Sequence, residues 1–202
     1  MSSQPSSSKL PLVLGSTSPF RRELLSRLQL DFVTASPDID ESAEPGEQPE
    51  RLVIRLAASK ADAVALTHPH ALIIGSDQVA TIEGQILGKP GNHAKAVAQL
   101  TMAAGKKVTF YTGLCLLNSE TKQRQICCET FHVHFRQLDQ DGIENYLRRE
   151  QPYNCAGSFK SEGLGITLFE RLEGNDPNSL IGLPLIQLIT MLKKAGLDPL
   201  AG

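Results

Sequence analysis

The sequence has neither a strong excess of one charge nor a long hydrophobic run. Its 20 basic and 22 acidic residues give a formal net charge of −2, so its overall charge does not attract nucleic acid or a membrane surface. No apolar stretch approaches the length of a membrane span, and the polar, Ser-rich start lacks the apolar segment of a signal peptide. We therefore expect a cytoplasmic protein with no nucleic-acid or membrane partner, in which any anion site is local.

Cysteine is also scarce, and the 4 cysteines form no C-x-x-C pair. Cys127 and Cys128 are adjacent, so on a strand their side chains would point to opposite faces. This pattern favours reduced structural thiols over a zinc site.

Chain length and composition fit one large domain or two small lobes. The 202 residues, 41% of them hydrophobic, can bury a substantial core. Because no repeat or linker divides the chain, we predict a disordered tail over residues 1–9 and a single domain over residues 10–202.

Residues 12–25 are predicted to form a strand, a hydroxyl-rich loop and a helix. Ser18 is a good N-cap, and Pro19 suits the first helical position because its missing N–H would be unpaired there. Arg21 and Arg22 then fall in the first turn, where a cation costs about 0.3–1 kcal/mol. Two interpretations remain open: a phosphate site formed with the nearby hydroxyls of Ser16 and its neighbours, or a solvated basic helix start.

Two buried elements carry charged residues in unusual positions. Residues 49–66 are predicted to form a helix, and Lys60 lies in the middle of its apolar face. It is either a snorkelling lysine at the rim of the core or an ammonium delivered into a cleft. The apolar run 71–74 predicts a central strand followed by Asp77, which is placed where α/β sheets form ligand crevices, although a capping role is the alternative.

The remaining segments give weaker signals. Residues 84–90 superficially resemble a nucleotide P-loop but have the wrong spacing, so Lys89 would contact phosphate only as part of a turn. Strands are predicted at 108–117, 127–135 and 166–172, and helices at 92–103, 139–149 and 183–195. His132 and His134 share a strand face at a spacing that a metal would accept, but we favour an ordinary strand face over a metal site.

Charged residues in loops and at element ends suggest one kind of chemistry. They are the carboxylates Glu41, Asp77 and Glu162 and the cations Arg21, Arg22, Lys60, Lys89 and Lys160. Hard oxygen ligands and cations, without a Ser–His or Cys–His pair, fit magnesium-assisted phosphate chemistry better than acyl transfer.

A series of short motifs resembles, in order and over nearly the whole chain, the Maf family of nucleotide pyrophosphatases. The motifs are Ser16-Thr17-Ser18-Pro19-Phe20-Arg21-Arg22, Leu56-Ala57-Ala58-Ser59-Lys60-Ala61, Gly75-Ser76-Asp77, Gly88-Lys89-Pro90, Tyr111-Thr112-Gly113 and Gly182-Leu183-Pro184. Each motif alone is weak, and their combination is highly specific.

The resemblance implies an α/β fold in which an elongated, two-lobed mixed β-sheet is flanked by helices around a central nucleotide cleft, as in Maf-like and inosine triphosphate pyrophosphatase-like proteins. It implies hydrolysis between the α- and β-phosphates of a small nucleoside triphosphate, with a divalent cation, Mg²⁺ or Mn²⁺. It also raises a homodimer as the assembly.

The resemblance further implies roles for particular residues. Asp77 would be the proton acceptor, acting with Lys60 and Lys89 in catalysis, and Glu41 and Asp77 would hold the metal. The phosphate-binding residues would be Ser16, Ser18 and Arg21.

Base specificity would depend on Phe20, Gln78 and Glu162. Family members that cleave dTTP and UTP typically carry Arg, Thr and Gln at these three positions, and this chain resembles the subgroup that cleaves 7-methyl-GTP. Methylated guanine is cationic, which favours stacking on Phe20 and pairing with Glu162. Two alternatives stay open: a pyrophosphatase for dTTP, UTP or other modified nucleotides, and a nucleotide-binding regulator of cell division.

Overall fold

The structure is a computed structural model that describes residues 10–201, so the tail expected over residues 1–9 lies outside the described part. The strands are β1 (Leu12–Gly15), β2 (Phe32–Ala35), β3 (Leu72–Ile82), β4 (Gln85–Leu87), β5 (Lys107–Asn118), β6 (Arg124–Phe135) and β7 (Phe169–Gly174). The α-helices are α1 (Pro19–Ser26), α2 (Pro49–Ala65), α3 (His93–Ala103), α4 (Gln140–Glu150), α5 (Pro177–Ile181) and α6 (Leu185–Lys194). Two 3₁₀ turns occupy Ala156–Ser158 and Leu164–Leu168.

All seven strands form one mixed sheet, which confirms the α/β class. The strand order is β2-β1-β3-β5-β6-β7, and β4 pairs with the far end of β3. β1 runs parallel to both β2 and β3, whereas every other pairing is antiparallel. Parallel strands need a long crossover connection: α1 lies within the connection from β1 to β2, and α2 lies within the connection from β2 to β3.

The hydrophobic core is divided along β3. Near the start of this strand, Leu72 packs with α1 and α6 on one face of the sheet, while Ile73 packs with α2 on the other. Near its end, Ala80 and Ile82 pack with α3 and α4 in a separate cluster. The middle of β3 therefore lies between two packed regions, in agreement with the two lobes that the resemblance implies.

An aromatic cluster stabilises the second region. Phe159 makes edge-to-face contacts with Phe110, Phe135 and Phe169 at ring-centroid distances of 5.4, 5.5 and 4.8 Å. Each such pair contributes about 0.5–1.5 kcal/mol beyond the burial of apolar area. This cluster anchors the chain immediately before Lys160 and Glu162.

The structure corrects the sequence prediction in three places. The run 71–74 and the extended residues after it are one continuous strand, β3, so Asp77 lies within a strand and does not follow the end of one. The strand predicted at 166–172 is wrong in its first half, because a 3₁₀ turn extends to Leu168 and pairing with β6 starts only at Phe169. The short helix α5 has no counterpart in the prediction.

Between residues 10 and 201, no helix combines the length and the apolar character needed to cross a membrane.

Candidate active site

The candidate site lies where β1 ends and the middle of β3 begins. Gly15, the last residue of β1, pairs in parallel register with Gly75 of β3. The hydroxyl-rich loop follows Gly15, and Asp77 and Gln78 follow Gly75. The parallel pairing therefore brings the Ser16–Ser18 loop beside the Asp77 carboxylate.

Helix α2 packs unusually close to the sheet at this point. A Cβ atom at Gly75 would collide with the Ala57 carbonyl oxygen, and one at Gly113 would collide with the Val53 carbonyl oxygen. Only glycine allows this approach of helix backbone to strand backbone. As a result Lys60, one turn beyond Ala57, reaches the Asp77 side chain.

Lys60 is the centre of a charged cluster. Its Nζ lies 2.6 Å from Asp77 Oδ1 and 2.7 Å from Glu41 Oε1. Lys60 and Asp77 are only 5% and 8% exposed, whereas Glu41 is exposed. Of the two interpretations of Lys60, the structure supports the ammonium in a cleft and excludes the snorkelling lysine.

The cluster changes the acidity of Glu41. The hydrogen bond from Lys60 lowers the pKa of the Glu41 carboxyl below its ordinary value, desolvation opposes this shift, and the positive charges of Lys60, Lys89 and Arg21 add to it. Glu41 is therefore ionised at neutral pH, beside a buried cation.

The start of α1 supplies a guanidinium to the same cluster. Ser18 caps the helix by accepting from the Arg21 backbone N–H, as predicted. The Arg21 Nε donates to the Gly182 carbonyl at 2.8 Å, and Nη1 donates to Ser16 Oγ at 3.4 Å. Burial lowers the pKa of Arg21, and the charges of Asp77 and Glu41 oppose this effect.

Arg22 does not belong to this site. It is exposed and lies at a shallow depression beside β2. Consecutive residues on a helix point about 100° apart, so a helix that directs Arg21 into the cleft turns Arg22 away from it. The expectation of a site with two guanidinium groups is wrong.

These groups line a cleft of about 720 Å³. Its lining includes Lys160 and every residue to which the family resemblance assigns a role, namely Ser16, Ser18, Phe20, Arg21, Glu41, Lys60, Asp77, Gln78, Lys89 and Glu162. The volume suits a ligand of nucleotide size. The structure thus brings these residues together, while their individual roles stay predictions.

Phe20, Gln78 and Glu162, the residues expected to set base specificity, also line this cleft. Glu162 is exposed, and Ser161 Oγ lies 3.3 Å from its Oε2. The Gln78 Nε2 donates to the carbonyl oxygens of Ser179 and Leu180, at 2.7 and 3.2 Å. Gln78 therefore joins the cleft wall to α5 in addition to lining the cleft.

Several supporting contacts were not predicted from the sequence. Arg55 binds both carboxylate oxygens of Glu47 at 2.7 and 2.6 Å and the Ser42 carbonyl at 3.0 Å, which ties the loop that carries Glu41 to α2. Asp176, fully buried, caps α5 and also accepts from the Ile186 N–H at 2.8 Å. The sequence held a signal for each contact: Glu47 is a second acidic residue in the loop that carries Glu41, and Asp176 directly precedes a proline, as an N-cap residue often does.

Two groups that could have carried other chemistry are accounted for. His132 contacts Thr109 Oγ1 and His134 contacts Glu173, and the described part of the chain holds no group of three or more potential metal ligands from His, Cys, Asp and Glu. Cys155 lines the cleft, but burial raises the pKa of its thiol to about 11, which disfavours the nucleophilic thiolate at neutral pH.

Comparisons with known proteins point to one family. A family model described as "Maf-like protein" matches residues 11–195, which include all the cleft residues named above. Relatives named "7-methyl-GTP pyrophosphatase" include those of Colwellia psychrerythraea strain 34H, 60% identical over 94% of this chain and 95% of its own length, and of Pseudomonas syringae pv. tomato, 60% identical over 93% and 97%. The Vibrio cholerae relative of the same name is 58% identical over 93% and 96%.

Among solved structures, the Staphylococcus aureus Ham1 protein matches with a TM-score of 0.43 and 14% identity. The match covers 62% of this chain and 71% of that chain.

Proposed function

The chain belongs to the Maf-like protein family, and from that premise we propose that it is a nucleotide pyrophosphatase that hydrolyses 7-methyl-GTP to 7-methyl-GMP and pyrophosphate. The observation that carries the proposal is the Lys60–Asp77–Glu41 cluster, which faces a nucleotide-sized cleft. The names of relatives about 60% identical over nearly the whole chain support the substrate.

Cations around the cluster fit a triphosphate. Arg21, Lys60 and Lys89 all line the cleft, and Arg21 is held in place by the Gly182 carbonyl. Fixed cations stabilise the charge that develops on a departing pyrophosphate without reorganising at the moment of reaction. The protein therefore presents positive charge before the substrate arrives.

Asp77 is suited to take a proton from the attacking water. Its Oδ1 is bound to Lys60, which fixes the orientation of the carboxylate, and within residues 10–201 its Oδ2 has no hydrogen-bond partner. The water oxygen would form a bond to the α-phosphorus while its proton passes to Asp77. The bond from the α-phosphorus to the bridging oxygen breaks, and pyrophosphate leaves.

The carboxylates of Glu41 and Asp77 also fit a divalent cation. Mg²⁺ is commonly held by one or two carboxylates, with phosphate oxygens and water completing its shell, so a third protein ligand is not required. Such a cation, when bound, would neutralise phosphate charge and make the attacking water more acidic. We infer that Mg²⁺ or Mn²⁺ is required and that these two residues hold it.

Three further residues of the cleft lining fit a methylated guanine. Phe20 offers a ring for stacking against the cationic base, and Glu162 offers two oxygens to the N–H groups of its edge. Thymine and uracil have only one such donor, which would leave the carboxylate partly unpaired. We infer that Phe20, Gln78 and Glu162 set this preference.

The proposal also covers the setting in which the protein acts. We infer that residues 10–202 form one domain, that the enzyme is cytoplasmic, and that it binds free nucleotide and not nucleic acid, which agrees with a net charge of −2. The homodimer is inferred from the family resemblance alone.

Product analysis tests the proposed reaction. The wild-type protein is incubated with 7-methyl-GTP and Mg²⁺ in ¹⁸O-labelled water, and the products are separated by anion exchange and analysed by mass spectrometry. We expect 7-methyl-GMP and pyrophosphate in equal amounts, with the label in 7-methyl-GMP. Release of 7-methyl-GDP and phosphate, or absence of turnover, would contradict the proposal.

A further inference from the structure

Gln99, on α3, connects two loops of the site without lining the cleft itself. Its Nε2 donates to the Gly88 carbonyl at 3.0 Å, and its Oε1 accepts from Ser158 Oγ at 2.5 Å. Gly88 directly precedes Lys89, which lines the cleft, and Ser158 begins the segment that leads to Glu162, which also lines it. A single side chain therefore joins the segment that carries Lys89 to the segment that carries Glu162.

The two hydrogen bonds fix the orientation of the Gln99 amide. The Gly88 carbonyl can only accept, so the amide nitrogen must face it, and the amide oxygen must then face Ser158. The Ser158 hydroxyl can rotate to donate to that oxygen. A methionine has a similar length but can make neither of these bonds.

The Ser158 end of this link is tightly held. Ser158 is fully buried, and its φ of 64° lies in the left-handed region, which costs energy for any residue other than glycine. The next residue, Phe159, is locked in the aromatic cluster. Backbone strain persists only where the surroundings enforce it, and Gln99 is one of the groups that do so here.

The Lys89 loop is also attached to Tyr153, in the stretch of chain that precedes Ser158. The Gly91 N–H donates to the Tyr153 carbonyl at 2.9 Å, and His93 Nδ1 lies 3.0 Å from Tyr153 Oη. Loss of the Gln99 amide would therefore leave the Lys89 loop attached to the protein through Tyr153, while removing its direct connection to Ser158.

We propose that Gln99 is a positioning residue that keeps Lys89 and Glu162 at a fixed separation across the nucleotide, and so contributes to discrimination between 7-methyl-GTP and GTP. These two substrates have identical phosphates and differ only in the base. Movement of Glu162 relative to Lys89 would therefore change the relative rates at which the two substrates are hydrolysed. The inference rests on the proposed function.

The test compares kcat/KM for 7-methyl-GTP and for GTP in the wild type and in Gln99→Met. We expect the ratio of the two values to fall about 3- to 10-fold in Gln99→Met, because two neutral hydrogen bonds are lost. The control is Thr101→Met, which places the same side chain at an exposed position of the same helix. Its ratio should equal that of the wild type.

A purely structural role would give a different result. Destabilisation alone lowers the fraction of active enzyme, which reduces both rates equally and leaves their ratio unchanged. If thermal unfolding shows that Gln99→Met does not fold, Ser158→Gly removes the hydroxyl at the other end of the link, and glycine accepts the left-handed φ. We expect the same fall in the ratio.

The outcomes separate this inference from the proposed function. An unchanged ratio in folded Gln99→Met, or in folded Ser158→Gly, overturns the role of Gln99 while leaving the hydrolase in place. A wild type that hydrolyses neither nucleotide overturns the proposed function, and this inference with it.

Discussion

Lys60 shows how one residue organises the site. A lysine that is 5% exposed would be strongly unfavourable if its charge had no partner, because burial removes the ammonium from water. Here two carboxylates lie within 2.7 Å of its Nζ. The pairing accounts for a charged residue on the apolar face of α2, and it holds Asp77 in the orientation that the proposed proton transfer needs.

Base preference is also determined at the scale of single residues. In Phe20→Arg combined with Glu162→Gln, we expect the preference to shift from 7-methyl-GTP toward dTTP and UTP, because the stacking ring and the carboxylate that pairs with guanine are both removed. The measurement is kcat/KM for the three nucleotides.

The matched control is Glu170→Gln, which removes a carboxylate that is exposed and is not part of the cleft lining. A double variant that still prefers 7-methyl-GTP as strongly as the wild type would disprove the roles of Phe20 and Glu162.

Helix α2 is the element on which the site depends. Gly75 and Gly113 let its backbone contact the sheet, and this contact sets the distance from Lys60 to Asp77. Glycine is usually unfavourable inside a strand, so its presence at two points beneath one helix is explained by the close approach.

Gly75→Ala tests this packing. The added methyl group would meet the Ala57 carbonyl and force α2 away from the sheet, so we expect a loss of stability of about 1–3 kcal/mol. We also expect hydrolytic activity to fall in the protein that remains folded, because the distance from Lys60 to Asp77 would change. Gly88→Ala is the control for stability, because Gly88 has open space around its Cβ position and no left-handed φ. Equal melting temperatures for both variants would contradict the packing argument.

The loop that carries Glu41 is attached to α2 by Arg55 and Glu47. The hydrogen bonds from Arg55 lower the pKa of Glu47 from its ordinary value of 4.5 to about 2. The Glu47 carboxyl has the higher pKa in the unfolded chain, so protonation favours unfolding. The contribution of the Arg55–Glu47 pair to stability is therefore complete above pH 4.5 and is lost as the pH falls toward 2.

Melting temperatures measured between about pH 6 and pH 3 check this linkage. We expect Glu47→Gln to be less stable than the wild type at pH 6, and the difference to shrink as the pH is lowered. A difference that stays constant over this range would mean that the Arg55–Glu47 pair does not contribute through its charge.

At the scale of the whole molecule, local sequence patterns predicted the elements but not their mutual contacts. The N-cap at Ser18 and the first half of β3 could be predicted because each depends on neighbouring residues. The 3₁₀ turn ending at Leu168 could not, because alternation alone does not show where pairing with β6 begins.

The same limit applies to the site. Lys60 was an anomaly on a helical face, so the sequence indicated that it needed an explanation. The hydrogen-bond partners of Gln99 and Arg55 are set by tertiary packing, and the residues next to each in the sequence do not indicate them. Side chains that face the cleft were thus easier to predict than the side chains that hold them there.

The central claim is that this cleft hydrolyses 7-methyl-GTP with Asp77 as the proton acceptor. The most direct test measures pyrophosphate release with Mg²⁺ from 7-methyl-GTP, GTP, dTTP and UTP, for the wild type, Asp77→Asn and the exposed control Asp31→Asn. We predict a strong preference for 7-methyl-GTP in the wild type and in Asp31→Asn, and a loss of about 10²–10⁴-fold in Asp77→Asn. Turnover of 7-methyl-GTP by Asp77→Asn at the wild-type rate, or a wild-type preference for dTTP or UTP, would contradict the account.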